Sequence, residues 1–350
     1  MKPVIENFVV PIKSDQLPAT SLYLSWDWSK PSTSNRERLF DLIKQARALL
    51  KEELDGPVLQ TYLEPIFNVT AKIKDPLPDL AGLAVFRTRD SFWWVQMTED
   101  PGSFVVVADS FHIKPLLAYQ QNLQRTAVLW FHESGATLAF GSDRQLVCHD
   151  TVIAPMKTRK NSEFFYEVKQ MLETGIRDRQ TRVVLAGDEN AIRFAKKAKL
   201  HPNIIEETLS GFISKLALGQ LELRFKDWLH RQKRNREVLL MNQLLTELKW
   251  NGFRTETDIE KIANLAVQGQ IKTLVVSKDQ RFFGKLNRKS GKIIFHGNQR
   301  DTRDDDLYDD LSEAVAGKGG EVWVVSKKLI PGNTGILAVI EPSVEFQKVS

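Results

Sequence analysis

The stretch 181–200, "TRVVLAGDENAIRFAKKAKL", sets the fold class. A run of β-branched residues stops at Gly187, and apolar residues then recur at helical spacing: Ala191, Ile192, Ala195. That is a buried strand, a tight turn and an amphipathic helix, the unit of an α/β protein. An anion could meet the helix N-terminus at this turn. Asp188 and Glu189 would repel it, so Gly187 is read as a turn residue.

Working outward, "IAPMKTRKNSEFFYEVKQMLETG" (153–175) precedes that unit. Phe164, Phe165, Val168, Met171 and Leu172 fall on one helical face, Asn161 or Ser162 stands where an N-cap belongs, and Gly175 closes the helix. Lys157, Arg159 and Lys160 form a basic loop at its mouth. Upstream, "AVLWFHES" and "TLAFGS" predict a hairpin around Ser134-Gly135, continued by "RQLVCHDTV". Downstream, the sequence from "ETLSGFISK" through "LLTEL" reads as one long helical stretch with a basic middle.

The flanking segments are also α/β. Near the N-terminus, "ATSLYLSWDW" predicts a strand. "NRERLFDLIKQARALLKEEL" predicts a helix with Leu39, Ile43, Ala46 and Leu50 on its buried stripe and Asn35 as its cap. Pro65 should kink or end the helix that follows. Strands are expected on both sides of Arg89-Asp90 and in "GSFVVVAD". The C-terminal part predicts a helix with a Thr257/Glu260 capping box and a Gly269 stop, the strand "IKTLVVSKD", and a hairpin across Ser290-Gly291. An acidic helix start in "DTRDDDLYDD" and the strands "EVWVVSK" and "TGILAVIE" follow.

A chain of 350 residues exceeds one ordinary core, and the expected division is 1–125, 126–257 and 258–350. Apolar residues make up 42% of it, and no run approaches a bilayer span. The N-terminus lacks the pattern of a signal peptide. Cys148 is the only cysteine, which excludes an internal disulfide. A cytoplasmic protein is expected.

Charge is distributed unevenly. Residues 151–236 hold 18 Lys and Arg against 10 Asp and Glu, a local +8 in a chain whose net charge is +5. Three clusters account for much of the excess: Lys157, Arg159 and Lys160; Arg193, Lys196, Lys197 and Lys199; and Arg231, Lys233, Arg234 and Arg236. Such clusters suit RNA or another polyanion, and they equally suit a solvated face. Trp228 is the aromatic best placed to stack on a base.

Evidence for catalysis is thin. None of the six histidines stands in a metal-binding motif. His132 and Glu133 are neighbours on a strand, so their side chains point to opposite faces. The six carboxylates of "DTRDDDLYDD" lack the pattern of a calcium loop and read as a solvated helix start. No cofactor and no metal are expected.

The order of segments carries a resemblance. "SLYLSWDW" with its long helix, then "GLAVF" and "SFHIKPLLAY", resembles the N-terminal domain of the archaeo-eukaryotic class-1 release factors and Pelota. "EFFYEVKQML" followed by "VVLAGDENAIRF" resembles their middle domain. "IEKIANLAVQGQIKTLVVSKD" and "GGEVWVVSKKLIPGNTGILAVIE" resemble their C-terminal, kink-turn-binder-like domain. The resemblance spans almost the whole chain and lies nearest the bacterial archaeo-eukaryotic release factor family, which includes Balon-type ribosome hibernation factors. It implies three α/β domains.

Departures from that pattern shape the expected function. Where release factors carry a Gly-Gly-Gln tripeptide, this chain has "MKTRKNSEF", with neither the glycines nor the glutamine. The stop-codon-reading Asn-Ile-Lys-Ser and Tyr-x-Cys-x-x-x-Phe sequences are also missing. The resemblance therefore implies a non-catalytic factor at or near the ribosomal A site, in hibernation or stalled-ribosome handling, with an elongation factor as companion. RNA contacts would come from Lys157, Arg159, Lys160, Asn161, Arg193, Lys196, Lys197, Arg231, Lys233 and Arg234. Two other readings stay open: a metal-dependent hydrolase of RNA or nucleotides built on His132, Glu133 or the aspartates at 304–306, and a protein-binding scaffold.

Overall fold

In a computed structural model, residues 18–27, 32–73, 77, 79–122, 125–153, 161–176, 180–209, 218–296 and 304–340 are described. The α/β expectation holds: helices pack on two four-stranded sheets and one five-stranded sheet, beside a small three-stranded one.

The first sheet contains β1 (Ala19–Ser25), β2 (Gly82–Arg87), β3 (Phe92–Met97) and β4 (Phe104–Ala108), in the order β3-β2-β1-β4 and antiparallel throughout. Helices α1 (Ser32–Leu50), α2 (Gly56–Phe67) and α3 (Val69–Lys72) cover one face. Leu39, Ile43, Ala46 and Leu50 are all buried there, as their spacing predicts. Helix α4 (Lys114–Gln121) covers the other face through Leu116 and Tyr119. Asn35 does not cap α1. The helix starts at Ser32, and the Asn35 amide instead bonds both ways with the Asp27 backbone. Pro65 lies inside α2, which runs only two residues further.

The second sheet is β7-β6-β5-β8-β9, built from β5 (Thr126–His132), β6 (Gly135–Gly141), β7 (Leu146–Ile153), β8 (Arg182–Gly187) and β9 (Ile204–Leu209). The pairings leave β5, β7, β8 and β9 parallel to one another, with β6 reversed. Helices α5 (Asn161–Gly175) and α6 (Glu189–Lys197) lie on one face, where the five predicted apolar residues of α5 are buried with Leu129, Leu138 and Leu185. Gly187 has φ +104, and a Cβ there would sit 1.8 Å from the Phe131 carbonyl oxygen, so the turn needs glycine. The start of the stretch read as helix, Glu207 to Leu209, instead belongs to edge strand β9. Helix α7 begins at Leu218.

Helix α7 (Leu218–Asn251) has 34 residues, a length of about 51 Å. Its first half covers the opposite face of the second sheet through Leu221, Phe225 and Trp228. Its second half places Met241 and Leu244 on the third sheet. One rigid rod thus contributes to two cores.

The third sheet has the order β10-β16-β11-β15, from β10 (Arg254–Glu256), β11 (Ile271–Ser277), β15 (Glu321–Val325) and β16 (Ile336–Ile340). Helices α8 (Ile259–Gln268) and α9 (Leu307–Ala316) back it. A small sheet of β12 (Phe283–Leu286), β13 (Ile293–Phe295) and β14 (Asp305–Asp306) lies beside α9. The α8 cap is Asp258 rather than Thr257: its carboxylate accepts from the N–H groups of Glu260 and Lys261. Gly269 ends the helix at φ 72, as predicted.

The acidic helix start departs furthest from its reading. Asp304, Asp306, Asp309, Asp310 and Glu313 are buried, not solvated. Asp309 accepts from the backbone N–H groups of Ile113 (3.1 Å) and Lys114, so it caps α4 from a distant part of the chain. Lys114 Nζ pairs with Asp306 and donates to the Gln280 carbonyl at 2.8 Å. Arg288 reaches Ser110, Asp310 and Glu313. With Leu117 and Ala118 of α4 packed against the α9 core, these bonds fasten the first sheet to the third.

Candidate functional site

The basic middle segment is where sequence and fold converge, and its geometry follows from strand direction. Strands β7 and β8 are parallel, so α5 and α6 both begin at the C-terminal ends of these strands and run back along one face. Lys157, Arg159 and Lys160 lie outside the described residues. Asn161 opens α5.

On α6, Arg193 and Lys197 are exposed, whereas Lys196 turns to the sheet edge, donating to the Glu206 carbonyl and lying 3.4 Å from its carboxylate. Asp188 sets the start of this helix by accepting from the N–H groups of Asn190 and Ala191. On α7, Arg231, Arg234 and Arg236 are exposed. Lys233 is not displayed in the same way. Its Nζ lies 3.1 Å from Glu99 and 3.5 Å from Asp143, tying α7 to the loop after β3 and the turn between β6 and β7. The backbone N–H of Asp100 donates to both carboxylate oxygens of Asp143, and Arg144 pairs with Asp100, so the same junction is stitched three times.

The α6 and α7 clusters therefore do not merge. They stand on helix layers against opposite faces of the five-stranded sheet. The exposed members, Arg193 and Lys197 on one side and Arg231 and Arg234 on the other, make two separate cationic surfaces. The sequence could not reveal this, because it depends on which face each crossover connection takes.

Other candidates are placed as follows. Trp228 is buried, its indole N–H donates to Glu207 at 2.7 Å, and Arg182 covers its ring at 5.8 Å, so it offers no outward stacking surface. Both nitrogens of the His132 ring are engaged, by Ser134 Oγ at 2.9 Å and Thr137 Oγ1 at 3.0 Å. Burial lowers its pKa, which favours the neutral ring. Glu133 is exposed beside it. Asp304 pairs with His296 at 2.6 Å and Asp306 with Lys114, so both are committed to structural ion pairs. Among the described residues, no three His, Cys, Asp or Glu side chains are grouped to hold a metal, and no helix is long and apolar enough to cross a membrane.

Sequence reasoning missed the long-range ion pairs around α9. One signal was present: Asp309 and Glu313, four apart on one helix face, repel unless cations arrive from elsewhere. It indicates that partners exist without saying which.

No protein-family model matches the chain, and no curated protein matches it. Several solved structures are similar. S. cerevisiae Dom34, described as a translation termination-like factor involved in RNA quality control, is 14% identical, covering 73% of this chain and 75% of its own at a TM-score of 0.40. Archaeoglobus fulgidus Pelota is 15% identical, covering 75% and 80% at 0.35. An archaeal translation termination factor is 13% identical, covering 92% of each chain at 0.24. Scores this low carry no functional argument, so a functional reading has to stand on the chain's own residues.

Proposed function

We propose that this chain is a non-catalytic, ribosome-associated translation factor of the cytoplasm, binding at or near the A site in hibernation or stalled-ribosome handling. The observation that carries the reading is the pair of cationic surfaces on opposite faces of the middle sheet. A protein that rests on a flat polyanion needs one basic face. A protein inserted into an RNA-walled cleft meets phosphate on two sides, and charges on both outer layers release counterions at each. Arg193 and Lys197 serve one wall and Arg231 and Arg234 the other. Lys157, Arg159, Lys160 and Asn161 add cationic and amide groups in the stretch of sequence where a hydrolytic factor would carry Gly-Gly-Gln. Phosphate contacts of this kind position the protein without reading sequence. A translation elongation factor is the companion that fits such a role, and 1–125, 126–257 and 258–350 are the functional modules.

The test is sedimentation of the native protein from growing and from stationary cells. Comigration with ribosomes, strengthened in stationary phase and lost when Lys157, Arg159 and Lys160 are replaced by alanine, is expected. Protein remaining at the top of the gradient in both states would overturn the proposal. So would cofractionation with one protein free of ribosomal RNA.

A further inference from the structure

A cavity of about 280 Å3 lies where the first and second sheets meet α7. Its floor is the start of β5 and β8, at Thr126 and Arg182. One wall is α7, and the other is the loop after β3 together with the end of α4. Three features of its lining bear on what it could hold.

Charge is the first. Arg125, Arg182, Lys233 and Arg236 all line the cavity, and Glu99 is the only carboxylate among its described lining residues. Lys233 at 3.1 Å offsets Glu99, and Arg125 holds the buried Asp79 at 2.9 Å behind the wall. Arg236 is exposed and has no ion pair among the described residues, which leaves its guanidinium available for a bidentate oxyanion. Apolar surface is the second. Leu229 and Leu239 lie on the same wall, and Leu239 is 61% exposed despite being a leucine beside a cavity. The third is an unsatisfied acceptor. Asn122 Nδ2 donates to the Ala118 carbonyl at 3.1 Å, but its Oδ1 is buried with no hydrogen-bond partner among the described residues. A buried acceptor left alone is costly and calls for an N–H donor.

We propose that this cavity binds one nucleoside monophosphate unit, its phosphate on Arg236, its base against Leu229 two helical turns away on the same face, and a base amino group donating to Asn122 Oδ1. At about 280 Å3 the cavity lies just under the small end of the ligand-pocket range, about 300 Å3, a size for one nucleotide and not for two. The unit could be free or the end of an RNA strand, since both present the same groups. The site is independent of the ribosome-binding reading, and its experiment uses no ribosome.

Equilibrium dialysis of the full chain against labelled AMP, CMP, GMP, UMP and inorganic phosphate tests it. Saturable binding at one site is expected, with UMP, which lacks an exocyclic amino group, the weakest of the four nucleotides. Arg236→Gln, at an exposed position, weakens binding about tenfold. Asn122→Ser removes the discrimination against UMP, and Arg193→Gln on the far face changes nothing. Competition by a short oligoribonucleotide assigns the site to an RNA end, and failure to compete assigns it to a free nucleotide. No saturable binding of any mononucleotide, full binding in Arg236→Gln, or equal affinity for phosphate and all four nucleotides would overturn the proposal.

Discussion

Replacing Lys114 by methionine tests how the first and third sheets are held together. The ammonium is almost fully buried and meets a carboxylate, Asp306, that is equally buried. Methionine keeps most of the apolar stem and removes the charge, leaving Asp306 without its cation. Removing one partner of a buried ion pair costs about 3–5 kcal/mol. Asp306 still accepts from the N–H groups of Phe282 at 3.1 Å and Tyr308 at 3.2 Å, so the lower end, about 3 kcal/mol, applies. The chain has several cores and need not unfold in one step, so a local assay is the right one. Hydrogen exchange of the α4 amides, Lys114–Gln121, reads the opening of this contact directly. About 3 kcal/mol corresponds to exchange about a hundredfold faster in Lys114→Met. Adding Asp306→Asn, which removes the orphaned charge and keeps an acceptor for the helix cap, restores most of the protection. Exchange within about threefold of wild type in the single variant, or a double variant worse than the single, would refute the assignment.

Further predictions rest on single features. Burial pushes the Glu313 carboxyl up to about 7 from 4.5, against the pull of Arg288 and with the added repulsion of Asp309. The folded state then holds a proton that the unfolded chain releases, so stability falls as pH rises from 4.5 to about 7, and Glu313→Gln flattens that slope in denaturant midpoints. Gly187→Ala forces a side chain into the Phe131 carbonyl at positive φ. It should cost at least about 2 kcal/mol in urea unfolding, whereas an unchanged midpoint would show that the turn relaxes. Asp258→Ala removes the acceptor of two α8 N–H groups and should lower stability by about 1 kcal/mol in the same assay.

What the sequence disclosed divides along a physical line. Periodicity is local, so the buried stripe of α1, the face of α5 and the β8–turn–α6 unit were all readable from spacing alone. Caps were harder: Thr257 and Asp258 are adjacent, both are good caps, and only the backbone decides between them. Glu207, Thr208 and Leu209 lie in a strand because β8 needs a parallel neighbour, a tertiary demand that overrides the local pattern. Long-range charge pairing was not legible. Asp309 and Lys114 are 195 residues apart, and the basic α6 and α7 clusters look alike in sequence although the sheet stands between them. Lys233 looked like its neighbours Arg231 and Arg234, yet its partners Glu99 and Asp143 come from other parts of the chain.

The salt dependence of ribosome pelleting by the purified chain tests the central claim, that RNA is met on two sides of the middle sheet. The claim predicts that Arg193→Gln with Lys197→Gln, and separately Arg231→Gln with Arg234→Gln, each lower the slope of log affinity against log salt by about 1.5, and that the four changes add. Slopes indistinguishable from wild type in both pairs would contradict it.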